Sequence, residues 1–328
     1  MAINANGEWR IENGEWRIVV TFRMAYTISD MLNQIKLLIC FALVLPAISC
    51  NKENAFTDNP IPPNTTISTL TIEQYVNRCF VDLLGRGATS DELNQFVAAL
   101  ESDNFSINTR KSFIASLQST AVFKQQYLDK VYVDMKARYL DALNEDEIQQ
   151  EADFWLYQAL QAQTLGDALA YNVLMHERYK IMGIINMSLY WENSSIDYAT
   201  CAKTMMFNSL YDDLNMGTFN FVHATFDQNF YRSPTDDEYA QLYAPIEYNG
   251  PGIFFQQNVS NKSEMLDVMI NSTEFKEGLV RWFYRSYLIR EPSANELVEG
   301  IAFWTGQNDF NGFIQKILST DEYAGITN

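Results

Sequence analysis

The sequence predicts an all-α protein built from repeated helix–loop–helix units, and three observations carry that expectation. From about Leu70 onward apolar residues recur at three- and four-residue spacing, as in Tyr75, Cys79, Phe80, Leu83 and Leu84, the period of one helix face. Alternation of the strand type is scarce. Three segments share one layout: FVDLLGRGATSDEL from Phe80 to Leu93, FDQNFYRSPTDDEY from Phe226 to Tyr239, and YRSYLIREPSANEL from Tyr284 to Leu297. In each, an Arg stands six residues after the leading aromatic, a Thr or Ser three after the Arg, and a Glu three after that.

Ahead of the helical part lie three segments of different character. Residues 1–30 contain a duplication, NGEWRI at Asn6–Ile11 and again at Asn13–Ile18. Two copies, each with a Gly, cannot make a coiled coil. The segment reads as sequence preceding the true start, at Met31 or Met24. Residues 31–49 read as a secretory signal: Lys36 leads into an unbroken apolar run from Leu37 to Leu45, followed by a Pro, small residues and Cys50. The run is short for a transmembrane helix, which needs about 20 residues. Its ending, Ala47-Ile48-Ser49-Cys50, resembles the lipobox of bacterial lipoproteins. That resemblance implies cleavage before Cys50, lipidation of Cys50, and anchoring at the outer membrane, on its periplasmic face or at the cell surface. Residues 50–69 are crowded with Pro, Asn and Thr and read as a flexible tether. Within it, Lys52-Glu53 is similar, over two residues, to surface-export signals of some Bacteroidetes lipoproteins.

The body divides into an N-terminal half of the repeat domain (70–183), an insertion or extra helix pair (184–218), and a C-terminal half (219–328). Each repeat carries a capping box: Thr89 with Glu92, Thr235 with Glu238, Ser293 with Glu296. The hydroxyl satisfies an unpaired N–H at the start of a helix while the Glu reaches back to the cap residue's own N–H. Gly87, Pro234 and Pro292 fall in the loops before these boxes, where they separate one helix from the next. The units also close alike. FIASLQSTAVF ends at Phe123, MLDVMINSTEF at Phe275 and FIQKILSTDEY at Tyr323, with Thr120, Thr273 and Thr320 two or three residues before the aromatic. A degenerate fourth copy spans about 131–183. There Asn144–Glu147 (NEDE) takes the place of the capping box, Val173–Tyr179 (VLMHERY) takes the closing place, and His176 is expected to cap a helix.

This layout resembles the bacterial repeat family described as domain of unknown function 4214. The best matches are LLGRGAT (Leu83–Thr89) and LIREPS (Leu288–Ser293); FYRSPT (Phe230–Thr235) departs further, and the 131–183 copy lacks the Arg. The resemblance implies an interaction role without chemistry and assigns no functional residues.

Candidate chemistry is sparse. Arg86, Arg232 and Arg290 could receive an anion at a helix N-terminus, but each lies near its own capping Glu, so an internal ion pair is the favoured reading, and bidentate pairing explains Arg over Lys. His176 and His223 have no His or Cys companion at metal-ligand spacing. His223, in the apolar stretch FNFVHATF, reads as a core residue. The acidic groups Glu145-Asp146-Glu147 and Asp212-Asp213 do not follow a calcium-loop pattern and read as solvated helix ends. No nucleophile elbow, P-loop or dinucleotide fingerprint is present. A ligand site, if one exists, is expected in the less periodic segments 184–218 and 246–261. Cys79 and Cys201 sit among apolar residues as either one disulfide or two buried thiols.

The net charge is −18, from 41 acidic and 23 basic residues. Residues 1–49 are charge-balanced, so the remainder carries all of it. Such a surface disfavours nucleic acid and anionic lipid head groups as partners. The functional expectation is a non-catalytic envelope lipoprotein, free of cofactors, that acts as a scaffold or interaction module with another envelope protein. Glycan capture is the alternative, and an uncharacterised hydrolase a third. Aromatics along a groove would favour glycan, an exposed apolar patch assembly, and converging carboxylates an enzyme.

Overall fold

Apolar side chains three and four residues apart fold the chain into fifteen α-helices among the described residues, with one two-stranded hairpin. The computed structural model describes residues 67–193 and 197–326. These belong to one unit, Asn64–Asn328. The expectations for the start, the signal segment, Cys50 and most of the tether lie outside the described residues. Among those described, no helix is long and apolar enough to cross a membrane.

The first repeat comprises α1 (Thr69–Leu84), α2 (Ser90–Glu101) and α3 (Ile107–Ser119), and α4 (Lys124–Tyr139) follows it. Then come α5 (Glu145–Thr164), α6 (Ala168–Ile185), α7 (Met187–Glu192), α8 (Tyr198–Met206) and α9 (Ser209–Leu214). The second repeat is built from α10 (Thr218–Phe230), α11 (Asp236–Tyr248), the hairpin β1 (Gly252–Phe254) and β2 (Gln257–Val259), and α12 (Lys262–Asn271). The third comprises α13 (Thr273–Phe283), which runs into a π-helical turn at Tyr284–Leu288, then α14 (Ala294–Gly306) and α15 (Phe310–Leu318).

One core joins all three repeats. On α1 it takes Ile72, Tyr75, Val76, Cys79, Phe80, Leu83 and Leu84, the periodic face read from the sequence. Two glycines set how closely helices approach. A Cβ on Gly278 of α13 would lie 1.7 Å from the carbonyl oxygen of Asn229 in α10, and one on Gly300 of α14 would lie 2.5 Å from Val280. The first and last repeats are clasped together. Arg78 on α1 donates to the carbonyls of Tyr287 and Tyr323, Tyr127 on α4 donates to Asn311, and buried Arg110 on α3 pairs with Asp321 and the Thr320 carbonyl. The repeats therefore close on one another instead of extending as an open solenoid.

Three expectations need correction. The 131–183 segment keeps the helix–loop–helix layout of a degenerate copy but lacks the expected closing turn. Its capping box forms at Asn144 and Glu147, but VLMHERY lies inside the continuous helix α6, so His176 is an exposed mid-helix residue and caps nothing. Residues 184–218, read as an insertion or extra helix pair, form α7, α8 and α9, and Tyr198, Cys201, Met205, Met206 and Tyr211 are enclosed in the common core. His223 is half-buried and stacks on Phe219 at 4.0 Å, outside the core. In the second closing motif the capping hydroxyl belongs to Ser272, which accepts from the Phe275 N–H; in the third it belongs to Thr320, which accepts from Tyr323. That shift explains the uneven spacing between threonine and aromatic. Cys79 and Cys201 are both buried and unpaired, and burial pushes the Cys79 thiol up to about 12.

Candidate functional site

The sequence-predicted arginines form the same arrangement three times. Arg86 holds both oxygens of Glu92 at 2.8 Å, Arg232 those of Glu238 at 2.8 and 2.7 Å, and Arg290 those of Glu296 at 2.9 and 2.7 Å. The Glu also completes the capping box with Thr89, Thr235 or Ser293. Each guanidinium lies over the aromatic six residues earlier, Phe80, Phe226 or Tyr284, at 5.2, 5.0 and 5.1 Å. The Nε then reaches across to the unit's closing turn, to Gln126, Glu274 or Glu322. Glu274 and Glu322 directly precede the closing aromatic; the first unit has Val122 there, and Gln126 takes over. Charge-assisted bonds to the Arg, with the cap N–H groups, pull Glu92, Glu238 and Glu296 down to about 2. Arg232 and Arg290 engage all five guanidinium N–H groups and Arg86 four of its five, so the arrangement is a structural clasp with little to offer an incoming anion.

A cleft of ≈ 370 Å³ lies where α1, α4 and the π turn meet, lined by Asp82, Lys130, Asp134, Arg138, Trp282 and Tyr287 among others. Turns of this kind often mark functional positions. Burial raises the carboxyl of Asp134, although Lys130 holds it at 2.5 Å. Asp82 accepts from the Tyr323 hydroxyl at 2.7 Å. Arg138 donates to the Tyr198 hydroxyl and the Gln228 carbonyl and lies over Trp282. Both carboxylates are thus occupied, neither histidine lines the cleft, and among the described residues no hydrogen bond joins Ser286 on its wall to a base.

A second cleft, of ≈ 230 Å³, is lined by Asp212, Asn215, Gly217, Thr218, Ile246, Glu247 and Lys262. It draws on both segments that the sequence marked as irregular, together with the start of α12. Thr218 donates to Glu247, and Lys262 pairs with Asp212. Close by runs a row of aromatics on α10 and α11: His223 against Phe219, Phe219 against Tyr239, Tyr239 against Tyr243, and Tyr243 against Tyr248. Phe219, Tyr243 and Tyr248 are exposed.

The most exposed apolar surface is elsewhere, on the hairpin of α5 and α6. The common core takes Ile148 and Ala152 from the base of α5 and Ile181 and Ile184 from the end of α6, with Trp155, Met182 and Ile185 packed against it. Trp155 donates to Glu151 and Ser209, which ties the base of α5 to α9. Beyond that base Ala159 and Ala162 are buried but lie outside the common core. With Ala152, they form a seam of small residues that lets the two helices approach closely. Phe154, Tyr157, Leu160, Leu165, Leu169 and Val173 face solvent, with Leu165 at 85% and Leu169 at 77% exposure. From Phe154 to His176 the only charged side chain is Asp167. Sequence reasoning missed this arm because the segment was assigned as a degenerate repeat from its capping and closing places alone; the signal that could have found it was the charge gap.

Compared with known proteins, the chain matches no family model, no curated protein and no solved structure.

Proposed function

We propose that this chain is a non-catalytic interaction module, a scaffold within an envelope assembly, held at the outer membrane by lipidated Cys50. The observation that carries this reading is the α5–α6 arm. A folded chain with ample core has left six large apolar side chains on a protruding hairpin whose outer part carries the single charge of Asp167. Exposed apolar surface of that kind marks a binding face. The clasps support the same reading, since they devote the recurring charged residues to holding the fold. The lipidation is tested by metabolic labelling with a clickable fatty acid, which should mark the wild type and not Cys50→Ala. The scaffold role is tested by purifying the tagged full chain from native membranes beside a Leu160→Glu/Val173→Glu variant. A stoichiometric component lost in the variant supports the reading; identical composition in both overturns it.

The aromatic row on α10 and α11 supports a second reading, contact with a glycan. Exposed rings offer faces to the C–H surfaces of sugars, and Asp212, Asn215 and Glu247 in the adjoining cleft offer hydroxyl partners. Under this reading Tyr243→Ala/Tyr248→Ala lowers retention of the protein in polysaccharide-containing native gels. Equal mobility of wild type and variant across neutral and acidic polysaccharides would remove it.

A further inference from the structure

We propose that the α5–α6 arm is a self-association surface, on which two copies of this chain pair arm to arm as a four-helix bundle. The inference rests on the scaffold reading and names its partner.

Charge selects the occupant. The chain carries −18, so two copies repel over most of their surfaces. The arm is the exception: 23 residues, 154–176, hold the single charge of Asp167. A second copy presents the same neutral apolar surface, so it is complementary in chemistry without any further assumption. Two helical hairpins meeting by a two-fold axis give the commonest form of closed homo-oligomer.

A membrane is a poorer occupant. Helices that lie in a lipid interface carry Lys and Arg on their polar face. The arm has none from residue 140 to 177, and its base is acidic at Glu145, Asp146, Glu147, Glu151 and Asp153. That base would be repelled by anionic head groups.

The size of the arm sets the strength. Its free part amounts to two helices of about 15 Å each. Paired with a copy, it buries on the order of 1,000 Å² in all, the lower bound for a specific interface. A reversible dimer in the micromolar range is expected, not an obligate one.

The sign of the salt effect separates this surface from an ion-paired one. Salt screens the repulsion between the acidic bodies and leaves the neutral contact intact. The dimer should therefore tighten as salt rises, by roughly tenfold between low and high ionic strength.

The test is sedimentation of the full chain in detergent over a range of concentrations and two salt levels, for wild type and for Leu160→Glu/Val173→Glu. The wild type should move reversibly towards a dimer, and more so in high salt. The variant should stay monomeric, with wild-type circular dichroism and melting, because both positions are already exposed. Should the variant fail to fold, Tyr157→Cys gives the readout instead: a bismaleimide should link the full chain to itself in native membranes. A wild type that stays monomeric throughout, a dimer indifferent to the arm variant, or one that dissociates with salt overturns the proposal. If the wild type is monomeric yet still loses a different stoichiometric component when the arm is charged, self-association fails and the scaffold reading stands.

Discussion

Replacing Arg232 by Met keeps an unbranched apolar stem and removes the charged centre of the second clasp. Arg232 binds both oxygens of Glu238 and reaches Glu274 as well, and it lies over Phe226 and Phe230. The Glu238 carboxyl, ordinarily at 4.5, stands at about 2, chiefly because of Arg232. Lowering the carboxyl from 4.5 to about 2 corresponds to roughly 3 kcal/mol. The Arg232 side chain is 34% exposed, so solvent screening reduces this to about 2 kcal/mol. The sign follows from the direction of the shift. A carboxyl held below its unfolded value contributes stability above pH 4.5, and that contribution is lost as pH falls through about 2. Arg232→Met has little of it to lose. Urea unfolding followed by circular dichroism at fixed ionic strength should give a penalty of about 2 kcal/mol at neutral pH that shrinks through the window from 4.5 to 2. A penalty below about 0.5 kcal/mol at neutral pH would refute the clasp as a source of stability. A penalty that stays constant into acid would move its origin to packing on the two rings.

The other clasps and crossings make their own predictions. Thr89→Ala, Thr235→Ala and Ser293→Ala should each cost about 1 kcal/mol through the lost cap; unchanged melting of all three would remove the capping role. Ile289 sits in the left-handed region at φ 57° and is 78% exposed, where Gly85 serves the first repeat at φ 71°. Relief of that strain should make Ile289→Gly more stable by about 0.5–1 kcal/mol, and a lower melting point would contradict it. Gly278→Ala forces a Cβ to within 1.7 Å of a backbone oxygen. It should destabilise by about 3 kcal/mol in urea unfolding, and a neutral result would mean that α13 and α10 are free to part.

What the sequence made legible was local. Helix period, loop residues and capping boxes each depend on neighbours within a turn or two, so Thr89, Thr235 and Ser293 could be placed from spacing alone. The pairing of each Arg with its capping Glu is also local, six residues apart. The third partner was not legible, because Gln126, Glu274 and Glu322 lie 32 to 42 residues from their arginines. Nor was the β1–β2 hairpin. Its turn places Phe255 and Gln256 at positive φ, where Gly or Asn would have signalled it. The hairpin is held instead by packing: a Cβ on Gly252 would lie 2.1 Å from the Gln241 carbonyl of α11. The second cleft was half legible, since irregular period pointed to both segments but not to Lys262 beside them.

The degenerate fourth repeat ties the fold to the proposed function. A repeat here needs two stops: the clasp that turns the chain back after its first helix, and a closing hydroxyl that ends its last. Asn144 and Glu147 still start a helix, but the segment has no Arg in register, and where the other units close it has Val173–Tyr179 without Ser or Thr. Nothing stops α5 until Gly166, at φ 73°, with Asp167 capping α6 behind it. The helix therefore runs for 20 residues, past the reach of the common core, and its partner α6 returns along it. A helical pair that leaves the core ordinarily becomes charged, because nothing apolar covers it. This pair has not: acidic residues crowd its base, and beyond Asp153 only Asp167 is charged as far as His176. Loss of the clasp explains why the arm projects. It does not explain why the arm is apolar; the proposed assembly, in which that surface is covered, would.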